Sequence, residues 1–257
     1  MSSRQSKSAS ASSDPLYSVP PISSRLRPKP AAGVPSSASR SGHLTMEAGP
    51  SSFREDHIVL LRNRFSIPLE FEIRAPTPDG RPSNPPEGFV CFFTEQLKSG
   101  LRFPLPDFFC EVSRTCKVPL FQFTPNSIRM MSGYLLLCSF LCVSPIASAF
   151  YSFFLPRNVD GGSYFYLTTR GDSHFLTALP HVQKRWKEEY FYISSPQPWG
   201  FPLSWIFISP PQSFRLSDRR PEHQAQLETL NRYRFDLSYV EEAGLLSHFG
   251  FGPQGRG

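Results

Sequence analysis

Residues 123–155 read FTPNSIRMMSGYLLLCSFLCVSPIASAFYSFFL. No charged side chain occurs from Met130 to Leu155, and about 20 apolar residues in a row are enough to cross a bilayer. Two devices argue for folded core helices instead. Thr124-Pro125 is an N-cap followed by proline at the first helical position. Ser144-Pro145 repeats the pair and divides the stretch, so that a second helix runs from there to about Leu155. Ser132, Gly133, Ser139, Ser148 and Ser152 place small or polar groups along it. Arg129 and Arg157 stand one on each side, so the flanks set no membrane orientation. Two buried helices are favoured over a single membrane span through 130–155.

Outward from this stretch, the N-terminal side predicts two more helices. Pro85-Pro86-Glu87 opens one, with Phe89, Phe93 and Leu97 at i+4 spacing and Gly100 at its end. Pro104-Leu105-Pro106-Asp107 opens the next, with Phe108, Phe109, Val112 and Cys116 on one side. Before them, residues 57–62 form a short apolar run, one helical turn or a strand, and the four prolines of 75–86 with Asp79-Gly80 mark a loop. On the C-terminal side the pattern turns aromatic and β-branched. Residues 163–169 and 189–193 read as strands of a small antiparallel hairpin or sheet, with Trp186 anchoring the second to the core. Arg170-Gly171-Asp172 is a turn between them.

The ends differ in composition. Residues 1–56 are rich in Ser, Pro, Ala and Gly and hold too few apolar groups to offset the entropy of ordering. They are expected to be a disordered tail. Residues 206–221 are a Pro-rich linker. An amphipathic helix is expected over 222–249, with Leu227, Leu230, Leu237 and Val240 at helical spacing, before a tail at 250–257.

The chain has 257 residues, 24 of them Phe and 27 Pro, the latter about twice the usual share of roughly 5%. So many Phe exclude a wholly disordered chain, and so many Pro exclude one long helical bundle. The net charge of +6 is spread out. Residues 1–56 carry 7 basic and 4 acidic groups, and residues 101–195 an excess of 3 positives, while 57–100 and 196–257 are neutral. No basic run is longer than Lys184-Arg185, so clustered phosphate neutralisation is not indicated. The five cysteines, Cys91, Cys110, Cys116, Cys138 and Cys142, are odd in number and fall in the most apolar third. With no recognisable secretory signal, they read as reduced, buried thiols of an intracellular chain, nuclear or cytoplasmic.

Motifs for chemistry are sparse. Cys138 and Cys142 are i, i+4, a spacing that could hold metal, but no His or carboxylate joins them on that helix. The six His pair with no nucleophile motif, and neither G-x-x-x-x-G-K nor G-x-G-x-x-G occurs. Asp107 and Glu111 share a helix face, although Asp107 in a first turn is sufficiently explained by the helix dipole. Trp186, Tyr190, Phe191 and Tyr192 could stack on bases, but fill a core more simply. No catalytic residue, metal, cofactor or small-molecule substrate is indicated.

Five pieces nevertheless form an ordered series: Pro85-Pro86-Glu87-Gly88; FFTEQLKSGLRFPL at 92–105; FTPNSIR at 123–129 with the apolar helices that follow; Tyr164-Phe165-Tyr166; and KRWKEEYFY at 184–192. In these the chain resembles the plant gypsy-type transposon (transposase) domain family over about half its length. It departs from that pattern at Ile128, where relatives often carry an aromatic, and has only a weak Trp199-Gly200 counterpart at the end. The resemblance implies a transposable-element origin and brings no assigned active site. D-T-G, Tyr-x-Asp-Asp and zinc-knuckle motifs of retroelement enzymes are absent from this sequence.

The sequence thus predicts an α+β, predominantly helical domain with a small antiparallel sheet over 57–205. It acts as a non-enzymatic protein-interaction module, with Trp199, Trp205, Leu227, Leu230, Leu237 and Val240 as candidate protein contacts. The alternative is a nucleic-acid-binding remnant that uses Arg102, Arg114, Lys117, Arg129, Lys184, Arg185 and Lys187. A protein partner is favoured over a nucleic acid, and a membrane is disfavoured.

Overall fold

The computed structural model describes residues 48–159, 163–170, 175–181, 184–206 and 221–241. They form a mixed α+β fold. Helix α1 (His57–Phe65) leads through β1 (Ile73–Arg74) to β2 (Val90–Phe93), α2 (Thr94–Lys98), α3 (Asp107–Cys116), a 3-10 turn at Leu120–Gln122 and α4 (Pro125–Phe140). Next come α5 (Ala147–Phe153), β3 (Phe154–Asn158), β4 (Phe165–Thr169), β5 (Leu176–Thr177), a 3-10 turn at Trp186–Glu188 and β6 (Tyr190–Ile193). Helix α6 (Pro221–Leu230), β7 (Phe235–Asp236) and a 3-10 turn at Leu237–Glu241 complete the described chain.

The helices opened at Pro104–Pro106 and at Thr124-Pro125 appear where the sequence placed them. Asp107–Cys116 buries Phe108, Phe109, Val112 and Cys116 and closes at Lys117 in the left-handed region, φ 58°. In α4, Thr124 is the N-cap residue and Pro125 the first helical one. The Thr124 hydroxyl lies 2.9 Å from the Ser127 hydroxyl rather than capping the backbone. Helix α4 is buried along most of its length and stops at Phe140, which is 67% exposed. Helix α5 begins at Ala147, two residues beyond the Ser144-Pro145 pair, and gives way to strand from Phe154. Among the described residues no helix is long and apolar enough to cross a membrane. Cys142 lies past the end of α4 at φ 54° and does not share a helix face with Cys138.

The region read as a helix from Pro86 to Gly100 is a strand followed by a short helix. Val90, Cys91, Phe92 and Phe93 are all buried and pair antiparallel with Ile193, Tyr192, Phe191 and Tyr190. Phe89, Phe93 and Leu97 do recur at i+4, but a run of aromatic and β-branched residues with a strand partner goes extended, because tertiary pairing overrides local spacing. Helicity starts only at Thr94. Strand β6 is central in the order β1-β6-β2. The expected pairing of 163–169 with 189–193 does not form. Strand β4 pairs antiparallel with β3, from Phe154↔Thr169 to Asn158↔Phe165, in its own two-stranded sheet. The described part of the Arg170-Gly171-Asp172 turn is Arg170, whose N–H donates to Phe153 O at 2.7 Å; the other two residues lie outside the described ones.

Two boundaries move. Residues 48–56, assigned by composition to the tail, pack on the domain. Phe53 is 2% exposed and its ring lies 5.5 Å from that of Phe191. The Ser51 hydroxyl donates to Tyr190 O at 2.6 Å and accepts from Tyr190 N at 3.0 Å. Residues 1–47 lie outside the described ones. The helix expected over 222–249 ends at Leu230, and the chain continues through β7, parallel to β5. Residues 242–257 and most of the expected linker, 207–220, lie outside the described residues.

Two buried glutamines tie the segments together. Gln96 Oε1 accepts from Phe93 N at 3.0 Å, while its Nε2 donates to Phe121 O and Phe123 O at 3.1 and 2.8 Å. Gln122 Nε2 donates to Ser163 O and Ile206 O at 2.9 and 2.7 Å, and its Oε1 accepts from Ile206 N at 2.9 Å. We expect Gln96→Leu to cost about 3 kcal/mol or more in urea unfolding, since each buried polar group left unpaired costs roughly 1–3 kcal/mol. A loss below about 1 kcal/mol would show that these backbone groups find other partners.

Candidate functional site

Of the seven basic residues that could have met a nucleic acid, two are buried. Arg102 is buried, donates to Leu97 O and Leu101 O at 2.6 and 2.7 Å, and lies 5.1 Å from the Phe65 ring centroid. Burial and then the neighbouring Arg64 charge lower its pKa to about 10. Arg129 is buried, with Nη2 3.5 Å from the Ser99 hydroxyl. Both are thereby withdrawn from the surface, which corrects their assignment. Arg114 and Lys117 are exposed at the C-terminal end of α3. Lys184, Arg185 and Lys187 flank Trp186, with Arg185 paired to Glu188 at 2.5 Å and Lys187 Nζ 4.4 Å from the Tyr164 ring centroid.

The six candidate protein contacts divide as well. Leu230, Leu237 and Val240 are buried and Leu227 is half-buried, all in the main core. They hold the C-terminal segment onto the fold, and the three buried ones are unavailable to a partner. A Cβ on Gly133 of α4 would collide with the Leu237 side chain, so the absence of one admits this contact. Trp205 is half-buried and stacked on Phe121, centroids 5.7 Å apart, with its indole N–H buried. Trp199 remains at the surface, half-buried. Its inner side meets Phe71, Phe92, Phe103 and Phe201 at centroid distances of 6.2, 5.9, 6.0 and 5.8 Å.

Trp199 walls two adjoining concavities. One, of about 320 Å³, lies between the 195–200 loop, Phe71, Leu105, Asp107 and Cys110. The other, of about 710 Å³, opens on the far side of the loop toward Gly88, Pro202 and Leu203. Arg114 lines both, and it makes no ion pair among the described residues. Cys110 Sγ donates to Trp199 O at 3.4 Å, which fixes the loop to α3. Sequence reasoning found Trp199 but missed its frame. The signal was the Pro-Gln-Pro-Trp-Gly-Phe-Pro run at 196–202, whose prolines stiffen a wall around the aromatic.

The reactive side chains are arranged as follows. Asp107 borders the smaller concavity and Glu111 is exposed one turn on. Among the described residues no three His, Cys, Asp or Glu stand where they could hold a metal ion. Burial raises the Cys116 thiol to about 11 and the Cys138 thiol to about 12, and it raises Cys110 as well. The Ser148 hydroxyl lies 3.2 Å from His223 Nε2. Such a pair activates the hydroxyl when a third group holds the other ring nitrogen, but His223 Nδ1 is buried with no partner among the described residues.

Residues 90–158 match the model of the family described as "Putative gypsy type transposon". The matched stretch runs from β2 through β3 and contains Arg114 and Cys110 of the groove. No curated protein and no solved structure matches the chain.

Thiol chemistry tests this layout directly. Near neutral pH, we expect a maleimide to modify one cysteine quickly, the exposed Cys142, and the four buried ones only after unfolding. Rapid labelling of Cys116 or Cys138 in the native protein, read by peptide mass spectrometry, would contradict the packing described.

Proposed function

We propose that this chain is a transposable-element-derived module that works without catalysis, by holding an extended segment of a protein partner in the groove at Trp199. The observation that carries the reading is Arg114, shared by both concavities beside a tryptophan whose other side is locked into the core. An aromatic fixed in this way meets a partner with little loss of conformational freedom, and Trp and Arg are the residue types that dominate small interfaces. Leu203, 49% exposed, supplies apolar surface on the outer wall. The groove is open on both sides of the 195–200 loop, which suits a chain passing through rather than an enclosed small molecule. The chemistry it selects is an apolar side chain against Trp199 with a carboxylate beside it for the Arg114 guanidinium. The similarity of residues 90–158 to the transposon family supports the origin.

Selection from a random peptide display library against the full chain tests the reading. Enriched peptides should carry an acidic residue next to an apolar one. A hydrogen bond to a charged group is worth about 1.5–3 kcal/mol, so Arg114→Glu should weaken them by about tenfold or more. Leu203→Asp should weaken them too, with the thermal midpoint of both variants unchanged. No enrichment, or peptides indifferent to both substitutions, would refute it.

A further inference from the structure

The hairpin of β3 and β4 shows a second surface of different chemistry. Along β4, Phe165 and Leu167 turn into the core while Tyr166 faces out, 41% exposed. The pairing continues one step past the strand, with Val159 N donating to Tyr164 O at 2.8 Å. Tyr164 and Tyr166 therefore share one face of the hairpin, because side chains two apart in a strand point the same way. Tyr164 is covered, at centroid distances of 5.0 Å from Trp186 and 5.6 Å from Trp205, with the Lys187 ammonium over its ring. Tyr166 is not covered. Directly across the ladder from it stands Arg157, exposed. Lys184 is exposed in the turn that carries Lys187. Of the two acidic residues there, Glu188 is taken up by Arg185 at 2.5 Å, and Glu189 lines a separate cavity with Thr94, Lys98 and helix α1.

We infer that this face binds single-stranded nucleic acid, with a base stacked on Tyr166 and the backbone phosphates met by Arg157, Lys187 and Lys184. Charge complementarity selects the occupant. Among the described residues Arg157, Lys184 and Lys187 form no ion pair. Arg157 stands across the ladder from the open Tyr166 ring and Lys187 over the neighbouring Tyr164 ring, and a polyanion with flat apolar faces satisfies both features at once. Stacking on a side chain needs a base that is not already stacked in a duplex, so the strand is single. The contacts are sequence-tolerant, because every base offers a ring face. Of the seven basic residues singled out from the sequence this surface uses Lys184 and Lys187, and it adds Arg157 and Tyr166. It is independent of the Trp199 groove.

Fluorescence anisotropy on the full chain tests the assignment, with a labelled short oligothymidylate as probe. A duplex of the same length and a labelled polyglutamate serve as controls. We expect saturable binding at low salt, with log K falling against log salt at a slope of about −2 for three phosphates neutralised on a single strand. Tyr166→Ala should weaken the oligothymidylate about tenfold, since one stacked base is worth roughly 1–3 kcal/mol. Arg157→Glu should weaken it and flatten the salt slope, and Arg114→Glu should leave it unchanged. Both sites are exposed, and circular dichroism should show native folds for both variants. Absence of binding at low salt would overturn the inference, and so would equal affinity for duplex or polyglutamate. An unchanged Kd in folded Tyr166→Ala or Arg157→Glu would overturn it equally.

Discussion

The fold depends on supplying hydrogen-bond partners to backbone that is buried among aromatic rings but belongs to no long ladder. Its strands are two to five residues long, so buried peptide groups at their ends and in the connecting turns have no sheet neighbour. A buried N–H or C=O without a partner is costly, and native proteins leave few of them. Here side chains stand in for missing strands. Gln96 bonds one N–H and two carbonyls, and Gln122 does the same twenty-six residues on. The Ser127 hydroxyl takes the N–H of Leu167 at 2.9 Å. The Arg62 guanidinium collects the carbonyls of Ile67, Pro68 and Phe71. Each of these is a long polar side chain or a hydroxyl directed inward, where a count of charges and polarity would place it outside.

The same economy shapes the surfaces available for contact. The phenylalanines pack mostly edge to face, as in Phe92–Phe103 at 75° and Phe108–Phe150 at 85°, an arrangement that the ring quadrupoles favour. Such a core holds whatever aromatic sits at its boundary. Trp199 is rigid because four rings back it, and Tyr166 is displayed because its neighbours Phe165 and Leu167 anchor the strand on either side. The C-terminal Leu237 and Val240 are consumed in closing the core over Gly133 and Gly100. At Gly100, φ is +105° and a Cβ would meet the side chains of Ser132 and Val240, so that closure requires glycine.

What the sequence disclosed was local. Proline-opened helices α3 and α4 were legible because a cap and its first turn are neighbours in the chain. The split of the uncharged stretch 130–155 was legible for the same reason. Strand β2 was not, because its partner lies about a hundred residues downstream and the spacing of Phe89, Phe93 and Leu97 satisfied a helix equally well. The arginines misled in the opposite direction. Arg102 and Arg129 look like surface charges, yet long apolar stems carry both inside, where Arg102 finds carbonyl acceptors. Trp199 was visible as an aromatic among prolines. Tyr166 was not, since its exposure rests on strand parity relative to a partner, β3, that had been read as the end of a helix.

The transposon-family match ends inside this architecture rather than at its edge. Residues 90–158 contain β2 and β3, but β2 is completed by β6 and β3 by β4, both beyond the match. Gln122 likewise reaches outside it, to Ser163 and Ile206. A chain cut to the matched stretch would bare two strand edges and orphan the polar end of a buried amide. The physical unit is therefore larger than the stretch of detectable similarity. Both proposed surfaces straddle that limit, since Arg114 lies within it and Trp199 beyond, and Arg157 within and Tyr166 beyond. Any contact the chain makes through either surface requires the downstream segments to be folded against the matched stretch.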